Sequence, residues 1–88
     1  MSKKFYRVKV DNEYMEDFEE VEFPTYLTHY SEYTLSKTDA MRVRDDDYYL
    51  FRETLQQYGV YAEFEPVNYI GTAKVLAYTG YGRFKSVP

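Results

Sequence analysis

Seven carboxylates occupy twelve consecutive residues of this chain, and no lysine or arginine lies among them. They are Asp11, Glu13, Glu16, Asp17, Glu19, Glu20 and Glu22. Carboxylates this close together repel one another. Their charge density approaches that of a nucleic-acid backbone, which carries one charge per ~3.4 Å of each strand. The cluster therefore predicts a surface that occupies a basic groove built for DNA or RNA, and the alternative is a solvated acidic face that keeps the protein soluble.

Tyrosine is the most frequent residue, with 12 in a chain of 88. A small domain has no room to bury so many rings, and tyrosine suits contact surfaces because its ring is apolar while its hydroxyl tolerates water. Tyr26, Tyr30 and Tyr33 lie in a polar stretch, so we expect them to be partly exposed. Together with the acidic cluster they predict a protein-binding face.

Charge is segregated along the sequence. All 15 carboxylates fall between Asp11 and Glu65, whereas residues 1–10 and 66–88 carry lysine and arginine without one acid. Four of these basic residues, Arg7, Lys9, Arg83 and Lys85, are candidates for a small basic face. That face gives an alternative function, direct binding of nucleic acid.

No residue pattern predicts catalysis or metal binding. His29 is the single histidine, and no nucleophile elbow or glycine-rich phosphate loop accompanies it. Asp45–Asp47 lack the alternating ligand spacing of a calcium loop, and helix capping accounts for them better. Cysteine is absent, which removes thiolate nucleophiles and ligands. We therefore expect no enzyme activity, no cofactor and no metal site.

Length and hydropathy limit the number of domains and the possible location of the protein. A chain of 88 residues predicts one domain over residues 1–88. No apolar run approaches the ~20 residues of a membrane-spanning helix, and residues 1–5 lack the apolar stretch of a secretory signal. We expect a soluble cytoplasmic protein with no membrane partner, either a monomer or a homodimer.

Hydrophobic periodicity predicts the elements that position these residues. Phe5–Val10 alternates as a strand does, and Asp11 with Asn12 ends it in a turn. Residues 13–23 fit both helix and strand, and we favour a helical turn or two followed by a short strand. Pro24–Ser31 reads as a loop. The later predicted elements are a strand at Tyr33–Leu35, a turn at Lys37–Ala40, strands at Val60–Glu65 and Thr72–Tyr78, a turn at Gly80–Gly82 and a mobile or weakly paired tail at Arg83–Pro88.

The clearest element is a helix at about residues 46–58. Asp45–Asp47 are expected to cap its free N–H groups, and Phe51 and Leu55 share its apolar face. Gly59 supplies the left-handed residue that ends it. The order of elements predicts an α+β fold, in which a small, mostly antiparallel sheet is packed by this one main helix.

The segment from Tyr33 to Val67 resembles small accessory proteins of phage and prophage genomes. The shared pattern is a strand, a capped turn at Lys37–Ala40, the extended Met41–Val43, an aspartate-capped helix ending at Gly59 and a closing strand. The resemblance covers about 40% of the chain. It implies a class of acidic inhibitors, the anti-CRISPR and anti-restriction proteins, which often occupy a nucleic-acid site on a host nuclease.

These observations lead to one prediction of function. The chain is expected to be a non-enzymatic phage accessory protein, present in the host cytoplasm, that binds and inhibits a host nucleic-acid-handling protein through its acidic, tyrosine-rich face. The alternatives are the direct nucleic-acid binding described above and a structural or assembly role in the phage.

Overall fold

The structure, a computed structural model, describes residues 4–88 and contains a seven-stranded, mostly antiparallel sheet packed by one helix. The strands are β1 (Phe5–Val10), β2 (Glu13–Glu22), β3 (Leu27–Thr34), β4 (Val43–Arg44), β5 (Glu63–Val67), β6 (Val75–Tyr78) and β7 (Phe84–Val87). A 3-10 turn at Asp45–Asp47 leads into helix α1 (Tyr48–Gln57). The α+β class and its one main helix are confirmed, with the sheet as the larger part.

The sheet curls until its two ends meet. Its strands follow the order β4, β1, β2, β7, β6, while β3 pairs with β2 and β5 pairs with β1. Arg42, just before β4, forms a parallel bridge with Val75 at the start of β6. The Arg42 N–H donates to the Lys74 carbonyl and the Leu76 N–H donates to the Arg42 carbonyl, each at 2.8 Å. These bonds close the five-strand path around the core.

The core lies between the sheet and α1. Phe51 and Leu55, one turn apart on the helix, are buried together with Phe18 of β2 and Phe84 of β7. The Phe51 ring meets Phe18 edge-on at 4.9 Å and Phe84 at 5.2 Å between centroids. Edge-to-face packing of this kind is worth about 0.5–1.5 kcal/mol per pair beyond the area it buries. The helix thereby holds β2 and β7 side by side.

The helical turn favoured for the start of residues 13–23 and the loop predicted at Pro24–Ser31 are wrong, whereas the short strand predicted after that turn falls within β2 as far as Glu22. Residues 13–22 form one continuous strand, β2, and the predicted loop contains most of β3. A β-bulge between Met15 and Asp17 shifts the alternation of β2 by one residue. The bulge buries Met15 and Phe18, three residues apart, on the same side of the strand, a spacing that is also typical of a helix.

Two later strands also differ from their predicted positions. The predicted strand at Val60–Glu65 begins only at Glu63 and continues through Pro66, and that at Thr72–Tyr78 begins only at Val75. Pro66 is tolerated because β5 pairs with β1 on one side alone among the described residues.

The tail predicted to be mobile is the strand β7. It pairs with β6 along four residues and with β2 at Glu19. Phe84 and Ser86 are buried, with 1% and 6% of their surface exposed. The prediction failed because β7 depends on partners that lie far away in the sequence.

The ends of the helix follow the predicted positions with one change of detail. Gly59 ends α1 with φ 77°, a left-handed conformation that favours glycine. Asp45–Asp47 open it, but neither helix start carries a side-chain cap hydrogen bond. Asp45 instead accepts a hydrogen bond from the Tyr6 hydroxyl at 3.1 Å, which ties the helix start to β1.

The closure depends on Arg42, whose side chain is fully buried without a carboxylate partner among the described residues. Its Nε donates to the Tyr69 carbonyl at 3.2 Å, and its Nη1 donates to the carbonyls of Lys37 and Ala40. Burial, followed by the neighbouring positive charge of Arg7, lowers the pKa of the guanidinium. The arginine thus donates to three carbonyl groups from two loops, of which the Ala40 carbonyl is buried.

Replacing this side chain should weaken the fold. We expect Arg42→Met to lower the free energy of unfolding by about 1–3 kcal/mol, because these carbonyls lose their donors. Arg52→Met, at an exposed position of α1, is the matched control and should change it by less than about 0.5 kcal/mol. Urea unfolding followed by circular dichroism measures both. Equal stability of the two variants would contradict this role of Arg42.

Candidate partner-binding face

The acidic cluster lies along β2 and the turn before it, and its carboxylates fall into two groups. One group contacts cations or hydrogen-bond donors of other elements and consists of Asp17, Glu19, Glu20 and Glu22. The other group, Asp11, Glu13 and Glu16, forms no ion pair among residues 4–88. The first group lies where β2 runs beside β7, which explains its contacts.

Asp17 of β2 is bonded to β7 and to the loop before β6. Its carboxylate accepts hydrogen bonds from Lys74 Nζ at 2.8 Å and from the Ser86 hydroxyl of β7. Ser86 Oγ in turn accepts a hydrogen bond from the Phe18 backbone N–H at 3.0 Å. Burial raises the pKa of Asp17, but the bonds from Lys74 and Ser86 outweigh it, so that the pKa lies below the usual 3.8. Asp17 is therefore a charged structural anchor.

Glu20 of β2 accepts hydrogen bonds from the end of the helix and from the start of β7. It accepts a hydrogen bond from the Tyr58 hydroxyl at 2.8 Å and from the Phe84 backbone N–H at 3.0 Å. Burial, and then the hydrogen bond to Glu20, raises the pKa of Tyr58 to about 12. Tyr58 therefore stays a neutral donor throughout the physiological range.

Glu19 and Glu22 form ion pairs at the surface. Glu19 lies 3.7 Å from Lys85 Nζ, and Glu22 lies 3.1 Å from Arg83 Nη2. Exposed pairs of this kind contribute about 0–1 kcal/mol each. Their effect on charge is larger, because they neutralise two carboxylates of the predicted site.

Among residues 4–88, the carboxylates of this region that form no ion pair lie toward the β1–β2 turn and on β3. Asp11 occupies that turn with φ 55°, Glu13 is exposed and Glu16 is half-buried at the bulge. Glu32, which the sequence prediction left out, is exposed and lies opposite Asp17 across β2 and β3. If residues 27–34 had been predicted as a strand, the alternation of side chains would have placed Glu32 on the same face as Thr28 and Tyr30.

The predicted tyrosines line the same hairpin, formed by β2 and β3. Tyr26, Tyr30 and Tyr33 have 57%, 60% and 37% of their surface exposed, in agreement with the expected exposure. Leu27 and Leu35, which the prediction omitted, are 39% and 76% exposed. Five exposed apolar side chains thus fall within ten residues of chain, at and beside β3. Their role as contact residues stays a prediction.

His29 lies on the helix-facing side of β3. Its ring stacks on Phe18 at 5.4 Å and packs against Tyr58 at 4.6 Å between centroids, and Nδ1 lies 2.9 Å from Ser31 Oγ. These contacts give the histidine a packing role at the border of the core.

The four candidate nucleic-acid-binding residues, Arg7, Lys9, Arg83 and Lys85, each lie near a different glutamate. Arg7 Nε lies 3.6 Å from Glu65 on β5, while Arg83 and Lys85 contact the glutamates of β2 described above. Lys9 lies opposite Glu63 in the register of β1 and β5. Among the described residues, no hydrogen bond or ion pair joins Arg7 or Lys9 to Arg83 or Lys85.

Residues 4–88 hold no group of three or more histidine, cysteine, aspartate or glutamate side chains arranged to bind a metal ion. Within the same residues, no helix is long and apolar enough to cross a membrane. No protein-family model, curated protein or solved structure matches the chain. The geometry of the hairpin is therefore the basis for a functional proposal.

The anchor role of Asp17 makes stability depend on pH. At pH 7 we expect Asp17→Asn to lower the free energy of unfolding by about 1–3 kcal/mol, the usual value of a charge-assisted hydrogen bond. Because the folded pKa is lowered, this contribution is complete above the usual pKa of 3.8 and is lost as the pH falls through the folded value. Urea unfolding at pH 7 and at pH 3 measures the difference.

Glu19→Gln is the matched control, since it removes one β2 charge from an exposed pair at 3.7 Å. We expect a change of less than about 1 kcal/mol at both pH values. A pH-independent effect of Asp17→Asn, or an equal effect of Glu19→Gln, would contradict the anchor role.

Proposed function

We propose that this chain is a non-enzymatic binding protein that inhibits a host nucleic-acid-handling protein, for example a nuclease, by placing the β2–β3 hairpin in its basic groove. One observation carries the proposal. Among residues 4–88, the hairpin combines carboxylates that form no ion pair, chiefly Glu13, Glu16 and Glu32, with the exposed Tyr26, Tyr30 and Tyr33.

The negative charge of the molecule is concentrated on this hairpin. Residues 13–34 contain seven carboxylates and no lysine or arginine, which gives a formal charge of −7. With a net charge of −4, the rest of the chain carries +3. Lys74, Arg83 and Lys85 neutralise three hairpin carboxylates through ion pairs. Four carboxylates remain, which equals the charge excess of the whole protein.

Such a surface suits a basic groove for two physical reasons. Opposite potentials speed association and make it sensitive to salt. Exposed tyrosines supply the rigid apolar anchors that dominate binding energy at protein interfaces. A hairpin bound in the groove excludes nucleic acid by occupying the same cations, and no chemical step is needed.

Direct nucleic-acid binding finds less support in the contacts. Arg7, Arg83 and Lys85 each lie within 4 Å of a glutamate. Phosphate groups would have to compete with these carboxylates for every one of the three cations. The acidic hairpin therefore gives the better account of function.

Neutralising the unpaired glutamates tests the proposal. We expect the triple variant Glu13→Gln, Glu16→Gln, Glu32→Gln to bind its partner roughly tenfold more weakly, since three surface ion pairs contribute about 0.2–1 kcal/mol each. The partner is recovered from host lysate at low salt on immobilised wild-type chain and is eluted with duplex DNA. Surface plasmon resonance then measures the affinity and its salt dependence.

A second triple variant, Asp39→Asn, Asp46→Asn, Glu53→Gln, removes three exposed charges outside the hairpin and serves as the control. We expect it to bind as the wild type does. The proposal is wrong if both variants lose the same affinity, if neither does, or if duplex DNA fails to displace the partner.

A further inference from the structure

The outer edge of the hairpin is a strand without a neighbour. Among residues 4–88, β3 pairs with β2 alone, so one side of its eight residues presents backbone N–H and C=O groups to solvent. Such an edge is a template for pairing with another chain, and proteins usually protect it with proline, lysine or a short length. β3 contains no proline and no lysine.

The other edges of the sheet are protected. β5 also pairs on one side only among the described residues, but it is five residues long and contains Pro66, which has no N–H to offer. The edges of β4 and β6 meet through the bridge between Arg42 and Val75. The protection of these edges contrasts with the open edge of β3.

The side chains beside this edge indicate what would pair with it. Thr28, Tyr30 and Glu32 lie on one face of β3, opposite Val21, Glu19 and Asp17 of β2. A strand added next to β3 would place every second side chain beside Tyr30 and Glu32. A lysine or arginine there would pair with Glu32 and lay its aliphatic part and charge on the Tyr30 ring.

Charge also decides between a basic partner segment and a second copy of the chain as the strand that pairs with β3. Pairing of two β3 strands would bring together two hairpins of formal charge −7. A basic segment instead approaches Glu32, which forms no ion pair among residues 4–88. The charge distribution therefore favours a partner segment over self-association.

We propose that β3 binds an extended segment of a partner protein by strand addition, and that this segment carries lysine or arginine at alternate positions. The inference rests on the proposed function and specifies how the hairpin holds its partner. Backbone hydrogen bonds along the free edge supply part of the affinity, and the alternating cations supply specificity.

The test uses the whole chain and synthetic capped peptides with the eight-residue length of β3. One peptide alternates lysine and valine. A second alternates lysine and proline, with the same charge but no N–H at every other residue, and a third alternates glutamate and valine. NMR titration measures binding, and hydrogen exchange measures the protection of each β3 amide.

We expect the lysine–valine peptide to bind saturably and to slow the exchange of every second β3 amide. The lysine–proline peptide should bind at least tenfold more weakly, and the glutamate–valine peptide should not bind. Equal binding of the two lysine peptides without protection of β3 amides would overturn strand addition, while binding to the acidic face would stand. No binding of the lysine–valine peptide, or equal binding of the glutamate–valine peptide, would also overturn it.

Two further results distinguish self-association of the chain and failure of the proposed acidic contact from strand addition by a basic partner. Alternate protection that appears without peptide and grows with protein concentration would assign the edge to a second copy and overturn the inference. Equal binding of the lysine–valine peptide by the wild type and the Glu13, Glu16 and Glu32 triple variant, with the β3 amides protected in both, would leave strand addition standing. It would contradict both the pairing with Glu32 and the proposed function.

Proline substitutions in β3 give a second, independent measurement. Thr28 and Ser31 direct their N–H groups to opposite sides of the strand, because orientation alternates along it. Of Thr28→Pro and Ser31→Pro, one should break the ladder to β2 and lower the melting temperature. The other should keep the melting temperature and lose at least tenfold in affinity for the lysine–valine peptide, and retention of full affinity by this stable variant would overturn the inference.

Discussion

The carboxylate of Asp17 is the interaction on which the rest of the structure depends. β2 and β7 share only one register pair, Glu19 opposite Lys85. Beside that pair, side chains replace the missing ladder: Ser86 bonds the Phe18 backbone, and Asp17 holds Ser86 together with Lys74. β7 positions β6, and β6 meets Arg42 to close the sheet. A carboxylate contact of one strand thus adds to the packing of α1 and to the bonds of Arg42 in joining the five strands that enclose the core.

This arrangement explains how the fold tolerates so many acids on one strand. Seven carboxylates within twelve residues would repel one another if they all faced the same solvent. Instead, the half of β2 beside β7 faces Lys74, Arg83 and Lys85, which come from the basic C-terminal region. The segregation of charge along the sequence therefore contributes to folding, because it supplies the basic C-terminal residues that pair with β2. The charge left for binding lies toward the β1–β2 turn and on β3.

Local patterns predicted the elements whose own residues carry a clear signal. In β1, Tyr6, Val8 and Val10 alternate with Arg7 and Lys9, and α1 has an apolar face and ends at a glycine with φ 77°. Leu27–Glu32 of β3 and all of β7 were missed because their strand character comes from neighbours that no local window contains. The partners of Ser86, for instance, lie at Asp17 and Phe18, 68 to 69 residues earlier. The prediction of the site had the same limit, since the sequence could not distinguish Asp17, which is bonded to Lys74 and Ser86, from the exposed Glu13.

The central claim is that β2 carboxylates hold β7 in the sheet while the edge of β3 stays open. Amide hydrogen exchange of the free protein at low concentration tests it most directly. The account predicts slow exchange at Phe84, whose N–H bonds Glu20, and alternation along Leu27–Thr34 between protected and fast-exchanging amides. Fast exchange throughout residues 83–88, or uniform protection of β3, would contradict it.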